Sequence, residues 1–268
     1  MVVKRIGLKR VCRRKVVIIT RAGKWAVLLL VSMPCFCVDA GLWDATVKEY
    51  VNPEARVDYA RLKDHGRQKL DAYLEQLARP WPAGMSPSAQ KAALINGYNA
   101  LTVRWILDNY PVQSIWRTPH PFTEARHTIN GEKISLDTIE SRLRKLGDPR
   151  IHGALVCAAR SCPPLRREAY TADRVDAQLD DNMRQWLANG KLNQFPPDGH
   201  TAQVSMIFKW YKNDFDPVEK FLARYAPVRL QPGVTVKYND YHWGLNDSSD
   251  LGAGYSKLSL VWDHWKNN

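Results

Sequence analysis

One short stretch of the chain gathers residue types that can do chemistry. Asp148-Pro-Arg-Ile-His152-Gly-Ala-Leu-Val-Cys157-Ala-Ala-Arg-Ser-Cys162-Pro-Pro holds a histidine five residues before one cysteine and ten before another. A thiol-dependent hydrolase or transferase needs a thiolate, a base that generates it and often a third group that orients the base. Cys162 or Cys157 as nucleophile, His152 as base, and Glu140 or Asn246 as orienter would supply that set. Arg150 to Cys157 is apolar and compact and reads as a buried strand. Side chains alternate along a strand, so His152 and Cys157 would face opposite sides. Cys162 falls in the following loop, which leaves a His152–Cys162 pair open.

The same two cysteines have other uses. In an oxidising compartment they can close a disulfide, and a loop this short contributes about 2–3 kcal/mol. That bond would either staple the corner after the strand or cycle as a redox pair. His152 is equally a hydrogen-bonded core residue or a base. Glu140 follows Ile139 and either pairs with Arg142, Arg144 or Arg160 or orients His152. Asn96 and Asn99 are three apart on one helix and share a side. They either bond to backbone in the core or reach a substrate. His65, His120, His127, His200, His242 and His264 show no tight spacing for a metal, which needs three or four converging ligands. No metal and no other cofactor is expected.

The cysteine argument depends on export, and the amino-terminal segment carries that expectation. Residues 1–40 hold nine Lys/Arg against a single acid, Asp39, which is +8 of the formal +12. The remaining chain, at +4, has no strong electrostatic footprint, so nucleic-acid binding is not expected. A basic stretch, the apolar run from Trp25 and small residues at Val38 and Ala40 form the pattern of a secretory signal peptide. The run spans about a dozen residues, short for a membrane helix, which needs roughly 20. Residues 1–40 therefore read as a cleaved signal, with a retained anchor or a lipoprotein at Cys35 or Cys37 as alternatives. The mature protein would be periplasmic or secreted and would touch the membrane only through an uncleaved leader. Cys12, Cys35 and Cys37 leave with the leader, and Cys157 and Cys162 remain.

The elements that must position these residues follow from periodicity and caps. Residues 57–79 read as a helix with Leu70, Tyr73, Leu74 and Leu77 on one face. Ser86 and Pro87 open a second helix, as cap and first helical residue. Asn130-Gly131 signals a tight hairpin turn with short strands on either side. Ser135 to Glu140 opens a helix that ends near Gly147. Thr171 caps another, with Val175, Leu179, Met183 and Trp186 inward. Val204 to Tyr211 reads as a short helix, Asp216-Pro-Val-Glu219 as a capping box, and Val234 to Tyr238 as a strand. The fold class expected is α+β: one helix-rich domain over residues 41–268 with a small sheet.

Five of these blocks, in order, give the chain a likeness to a known family. Ala93-Leu-Ile-Asn-Gly-Tyr-Asn-Ala100, Ile134-Ser-Leu-Asp-Thr-Ile-Glu140, the Asp148–Leu165 block, Ile207-Phe-Lys-Trp-Tyr211 with Asp214-Phe215, and Tyr241-His-Trp-Gly-Leu-Asn246 are spread over about residues 57–247. In these blocks the chain resembles the family called domain of unknown function 547. Leu94 stands where the family's motif usually has Trp, and His242 where its closing motif usually has Asp. The resemblance implies no activity, since none is assigned to the family. It directs attention to Asn96, Asn99, Glu140, His152, Cys157, Cys162 and Asn246. Two functions follow as expectations. One is an exported thiol-dependent amide hydrolase or acyl transferase. The other is a non-catalytic envelope binding module, stapled by Cys157–Cys162, whose groove of Trp and Tyr side chains, Trp243 among them, takes a small-molecule or peptide-like ligand.

Overall fold

The computed structural model describes residues 38–256. Of the leader expected over residues 1–40, residues 1–37, with Cys12, Cys35 and Cys37, lie outside the described residues, as does His264. Helix dominates, and two separate two-stranded sheets complete an α+β architecture.

An unforeseen helix, α1 (Gly41–Tyr50), comes first and buries Trp43, Val47 and Tyr50. The helix expected over 57–79 is present but interrupted. A short α2 (Tyr59–Arg61) runs through a π-helical turn at Leu62–Gly66 into α3 (Arg67–Ala78). Leu70, Tyr73 and Leu77 of α3 are fully buried, and Leu74 is partly so.

The longest helix, α4 (Pro87–Asn109), begins as its cap residues require. Ser86 extends before it and its Oγ accepts from the Ala89 amide at 3.2 Å. Fourteen of its residues are buried, so α4 is wrapped on nearly every side and forms the spine of the molecule. It contributes to both hydrophobic clusters, one shared with α1, α3 and α6, the other with the hairpin and α5. The hairpin of β1 (His127–Ile129) and β2 (Glu132–Ile134) turns at Asn130 and Gly131, with φ of 53° and 77°. α5 (Leu136–Arg144) starts at Ser135, whose Oγ accepts from the Thr138 amide at 3.1 Å.

The buried strand expected from Arg150 to Cys157 does not form. Pro149–Gly153 is a 3-10 helix, opened by Asp148, whose carboxylate accepts from the Arg150 amide at 3.2 Å. An acid cap followed by proline is a helix-start signal, and a short apolar run does not distinguish buried strand from buried helix. Beyond Gly153 the chain is irregular yet buried. Its backbone groups are satisfied by side-chain amides. Asn99 Nδ2 donates to Ala154 O at 2.9 Å, and Asn99 Oδ1 accepts from Val156 N at 2.9 Å.

The carboxy-terminal half departs from expectation in three places. α6 (Val175–Ala188) begins after Arg174, not at Thr171, because residues 172–174 turn before the helix starts. Val175, Leu179, Met183 and Trp186 do face inward. Val204 closes a strand, β3 (Thr201–Val204), and only Ile207–Trp210 forms the helix, α7. Asp216 does not cap α8 (Val218–Tyr225): Pro217 occupies the cap position and no side chain bonds there. β4 (Thr235–Tyr238) pairs in parallel with β3, Thr201 opposite Thr235. No helix among the described residues is long and apolar enough to cross a membrane.

Candidate functional site

Glu140, His152, Cys157 and Trp243 come together on one cleft of about 220 Å³. Several pieces of chain build it. α5 turns Asp137 and Glu140, three residues apart and so on one helical face, toward the opening. The 3-10 turn supplies His152, and the irregular segment after it supplies Leu155 and Cys157. α7 and the residue after it add Ile207, Trp210 and Tyr211. The closing segment adds Tyr241 and Trp243, and Tyr98, Trp116 and Phe122 complete the wall.

Hydrogen bonds fix how the closing segment meets the cysteine loop. Arg160 N donates to Gly244 O at 2.8 Å, Asn246 N to Ala158 O at 3.0 Å, and His242 N to Ser161 Oγ at 2.9 Å. On the far side Leu245 N donates to Gln113 O and Ser114 Oγ to Trp243 O. The rings then pack on one another. Trp243 lies 5.3 Å from Trp116, 4.7 Å from Tyr241 and 5.9 Å from Trp210. Trp210 is 47% exposed and stands at the mouth. His242 Nδ1 accepts from Gly244 N at 3.1 Å and shapes this loop.

The two cysteines lie at disulfide distance, with Cα atoms 6.4 Å apart. Cys157 is half-buried and lines the cleft. Cys162 is buried behind it, 4% exposed, and borders a different depression together with Arg160 and Asn246. The opposite-face argument therefore fails with the strand that carried it. His152 and Cys157 line the same cleft, and Cys162, the preferred nucleophile on spacing, does not line it.

His152 is buried, stacked on Tyr211 at 4.0 Å and tilted against Phe215 at 5.2 Å. Its Nε2 is 2.8 Å from Asp214 Oδ2, and no hydrogen bond ties the ring to either sulfur. Asp214 in turn accepts two bonds from Arg144, at 2.6 and 2.9 Å. Those bonds, with His152, hold the Asp214 carboxyl down to about 2. Burial lowers the His152 pKa, and Asp214 opposes that shift. A neutral imidazole beside an ionised carboxylate carries its proton on Nε2 and leaves the lone pair on Nδ1. The side chain hydrogen-bonded to His152 is Asp214, and neither Glu140 nor Asn246 bonds to the ring.

Glu140 does share the cleft. Burial pushes its carboxyl and that of Asp137 upward, and the Tyr211 hydroxyl offsets part of this at Glu140. Among the described residues no Lys or Arg forms an ion pair with either one. Arg142 pairs with Glu132, Arg144 with Asp214 and Arg160 with Asp250. Asn246 is remote from the cleft; its Oδ1 accepts from the Tyr59 hydroxyl at 2.8 Å. Asn96 and Asn99 bracket buried backbone and do not line this cleft, though Asn96 borders a separate depression. Asn96 clamps the amide and carbonyl of Tyr170 at 2.9 and 2.8 Å, as Asn99 clamps residues 154 and 156. Trp243 alone of the three expected ligand contacts lines the cleft.

Sequence reasoning passed over Asp137, Tyr98, Trp116, Phe122, Trp210, Tyr211, Asp214 and Tyr241 as site residues. Asp137 was legible from its spacing to Glu140 on one helix. Asp214 stood in one of the blocks that carry the family likeness, but nothing local tied it to His152, which it meets across 62 positions. Among the described residues no group of three or more His, Cys, Asp or Glu is placed to hold a metal ion.

No curated protein and no solved structure matches the chain. A family model matches residues 82–187, which hold α4, α5, the His152 turn and both cysteines, while Tyr211, Asp214, Tyr241 and Trp243 fall outside it. Over that segment the chain is similar to the family described as protein of unknown function, DUF547.

Proposed function

We propose that the protein is an exported binding module of the cell envelope whose cleft takes a small-molecule or peptide-like ligand bearing a positive charge beside an apolar group. One observation carries this reading: two carboxyls, neither in an ion pair among the described residues, face a cleft walled by Tyr98, Trp116, Phe122, Trp210, Tyr211, Tyr241 and Trp243. Asp137 stands exposed at the rim and Glu140 is half-buried, where the Arg144 charge reaches it without pairing. A half-buried carboxylate is costly unless paired, and a ligand cation would supply the close partner. Aromatic faces attract the same cation, by about 0.5–2 kcal/mol per ring when desolvated. The Cys157–Cys162 pair closes the cysteine loop on itself and sets Cys157 in the cleft wall. Export is supported by the basic-then-apolar order of residues 1–40.

A screen of fragments by ligand-observed NMR tests this, using amines, quaternary ammoniums, carboxylates and neutral aromatics of equal size. Aromatic cations should bind and carboxylates should not, and Trp243→Ala should abolish the signal. A screen without charge preference would sink the reading.

A second reading is favoured by one arrangement. His152, oriented by Asp214, shares the cleft with Cys157, as a thiol-dependent amide hydrolase or acyl transferase would need once the pair is reduced. Thiol labelling of the mature protein separates the two. Labelling of Cys157 without reductant, abolished by His152→Ala, supports the enzyme. No labelling before reduction supports the stapled module.

A further inference from the structure

Three hydrogen-bond donors converge on a single sulfur. Cys162 Sγ accepts from the Cys157 amide at 3.1 Å, from the Ala159 amide at 3.4 Å and from the Tyr241 hydroxyl at 3.2 Å; that hydroxyl also lies 3.3 Å from Cys157 Sγ, so the two amides are what set Cys162 apart. Ala158, between the two amides, has a φ of 62°, so the donors are aimed by a left-handed residue in the manner of an anion-binding backbone nest. Tyr241 is buried and its phenol is pushed far upward, so it stays protonated and able to donate. Donors of this kind favour a thiolate far more than a neutral sulfur.

The two sulfurs are also unequal in access and surroundings. Cys157 opens on the cleft, where Asp137 and Glu140 add negative charge, and Cys162 lies buried behind it. An incoming thiolate reaches Cys157, and the sulfur it displaces is the one with three donors waiting. A leaving thiolate that is stabilised in advance speeds exchange and makes a disulfide easier to reduce.

We propose that Cys157–Cys162 is a thiol–disulfide exchange centre that oxidises dithiols entering the aromatic cleft. One thiolate of the dithiol attacks Cys157 Sγ. The pair's bond breaks with its electrons on Cys162, which leaves as a thiolate held by the two amides and Tyr241. A mixed disulfide now joins Cys157 to the substrate. The substrate's second thiolate attacks its own sulfur in that bond and expels Cys157 as a thiolate, which takes up a proton. The dithiol leaves as a disulfide, and the protein holds two reduced cysteines. The same steps run backwards with a disulfide substrate restore the pair. None of this depends on what else the cleft binds.

The test is equilibration of the mature protein with graded mixtures of reduced and oxidised glutathione, followed by acid trapping and thiol counting by mass. Tyr241→Phe keeps the ring and removes one donor, so it should need about tenfold more reduced glutathione for half-reduction. The Cys162→Ser variant exposed to oxidised glutathione should collect the adduct on Cys157. Ultraviolet titration of the reduced protein should show a thiolate forming below the free-cysteine value of about 8.5, absent in Cys162→Ser and retained in Cys157→Ser. The titration reads the donors even if Tyr241→Phe alters folding. Equal midpoints for wild type and a folded Tyr241→Phe, or a reduced protein whose thiols both titrate at or above the free value, would overturn the proposal.

Discussion

Asn99 does for residues 154–156 what a neighbouring strand would do, offering one donor and one acceptor to buried backbone. Truncation leaves a carbonyl and an amide without partners, each costing about 1–3 kcal/mol. Asn99→Ala should therefore lower stability by about 2–4 kcal/mol in urea unfolding and leave ligand contacts untouched, whereas a direct substrate contact would lose binding at unchanged stability. Spacing made the Asn96–Asn99 pair visible; the bracketing role was not, because its partners lie 55 or more positions away. His152 shows the same limit. Its neighbours in sequence offered Cys157 and Cys162, and the fold gave it Asp214. Asp214→Asn removes the charge that raises the His152 pKa against burial and leaves Arg144 unneutralised. The His152 ring should then titrate lower than in wild type by NMR. An unchanged value would mean that Asp214 does not govern the imidazole.

Elements with local punctuation were legible. Ser86-Pro87, Asn130-Gly131 and Ser135 each carry their cap or turn chemistry within four residues, and each element formed where that chemistry puts it. What distant partners hold was legible only in part: Val234 to Tyr238 reads as a strand and forms β4, but its partner β3, their pairing and the 3-10 turn were not legible. β3 and β4 pair in parallel across more than thirty positions, and the 3-10 turn bearing His152 is pressed against α6. Gly153 marks that contact. A Cβ there would collide with Met183 Sδ and approach the Trp186 ring at 3.3 Å. Gly153→Ala should cost about 1–3 kcal/mol through overpacking and should disturb the His152 turn first. Hydrogen exchange at residues 149–156 reads this directly. Stability within about 0.5 kcal/mol of wild type would show that the turn is not seated on α6 as described.

Across the whole molecule, buried titratable groups set the response to acid. His127 is partly buried, its Nε2 has no hydrogen-bond partner among the described residues, and burial depresses its pKa to about 4. Below about pH 6.5 the unfolded chain takes up a proton that folded His127 refuses, so its contribution falls between roughly pH 6.5 and 4, by no more than about 3 kcal/mol. His152, also depressed, acts in the same direction. Asp137 and Glu140, raised by burial, oppose it as they take up protons in the folded state first. His127→Gln should therefore lose less stability than wild type between about pH 7 and 4.5 in urea titrations. Parallel profiles would show that His127 carries no such linkage. Those same raised carboxyls tie the acid response to the cleft, since a ligand cation needs them ionised. The most direct test is isothermal titration of the mature protein with benzyltrimethylammonium and, for comparison, benzyl alcohol. The cation should bind more tightly, its affinity should rise with pH through the raised carboxyl range, and Asp137→Asn with Glu140→Gln should weaken it by tenfold or more. Equal affinity for the two probes, or cation binding unchanged in the double variant, would contradict it.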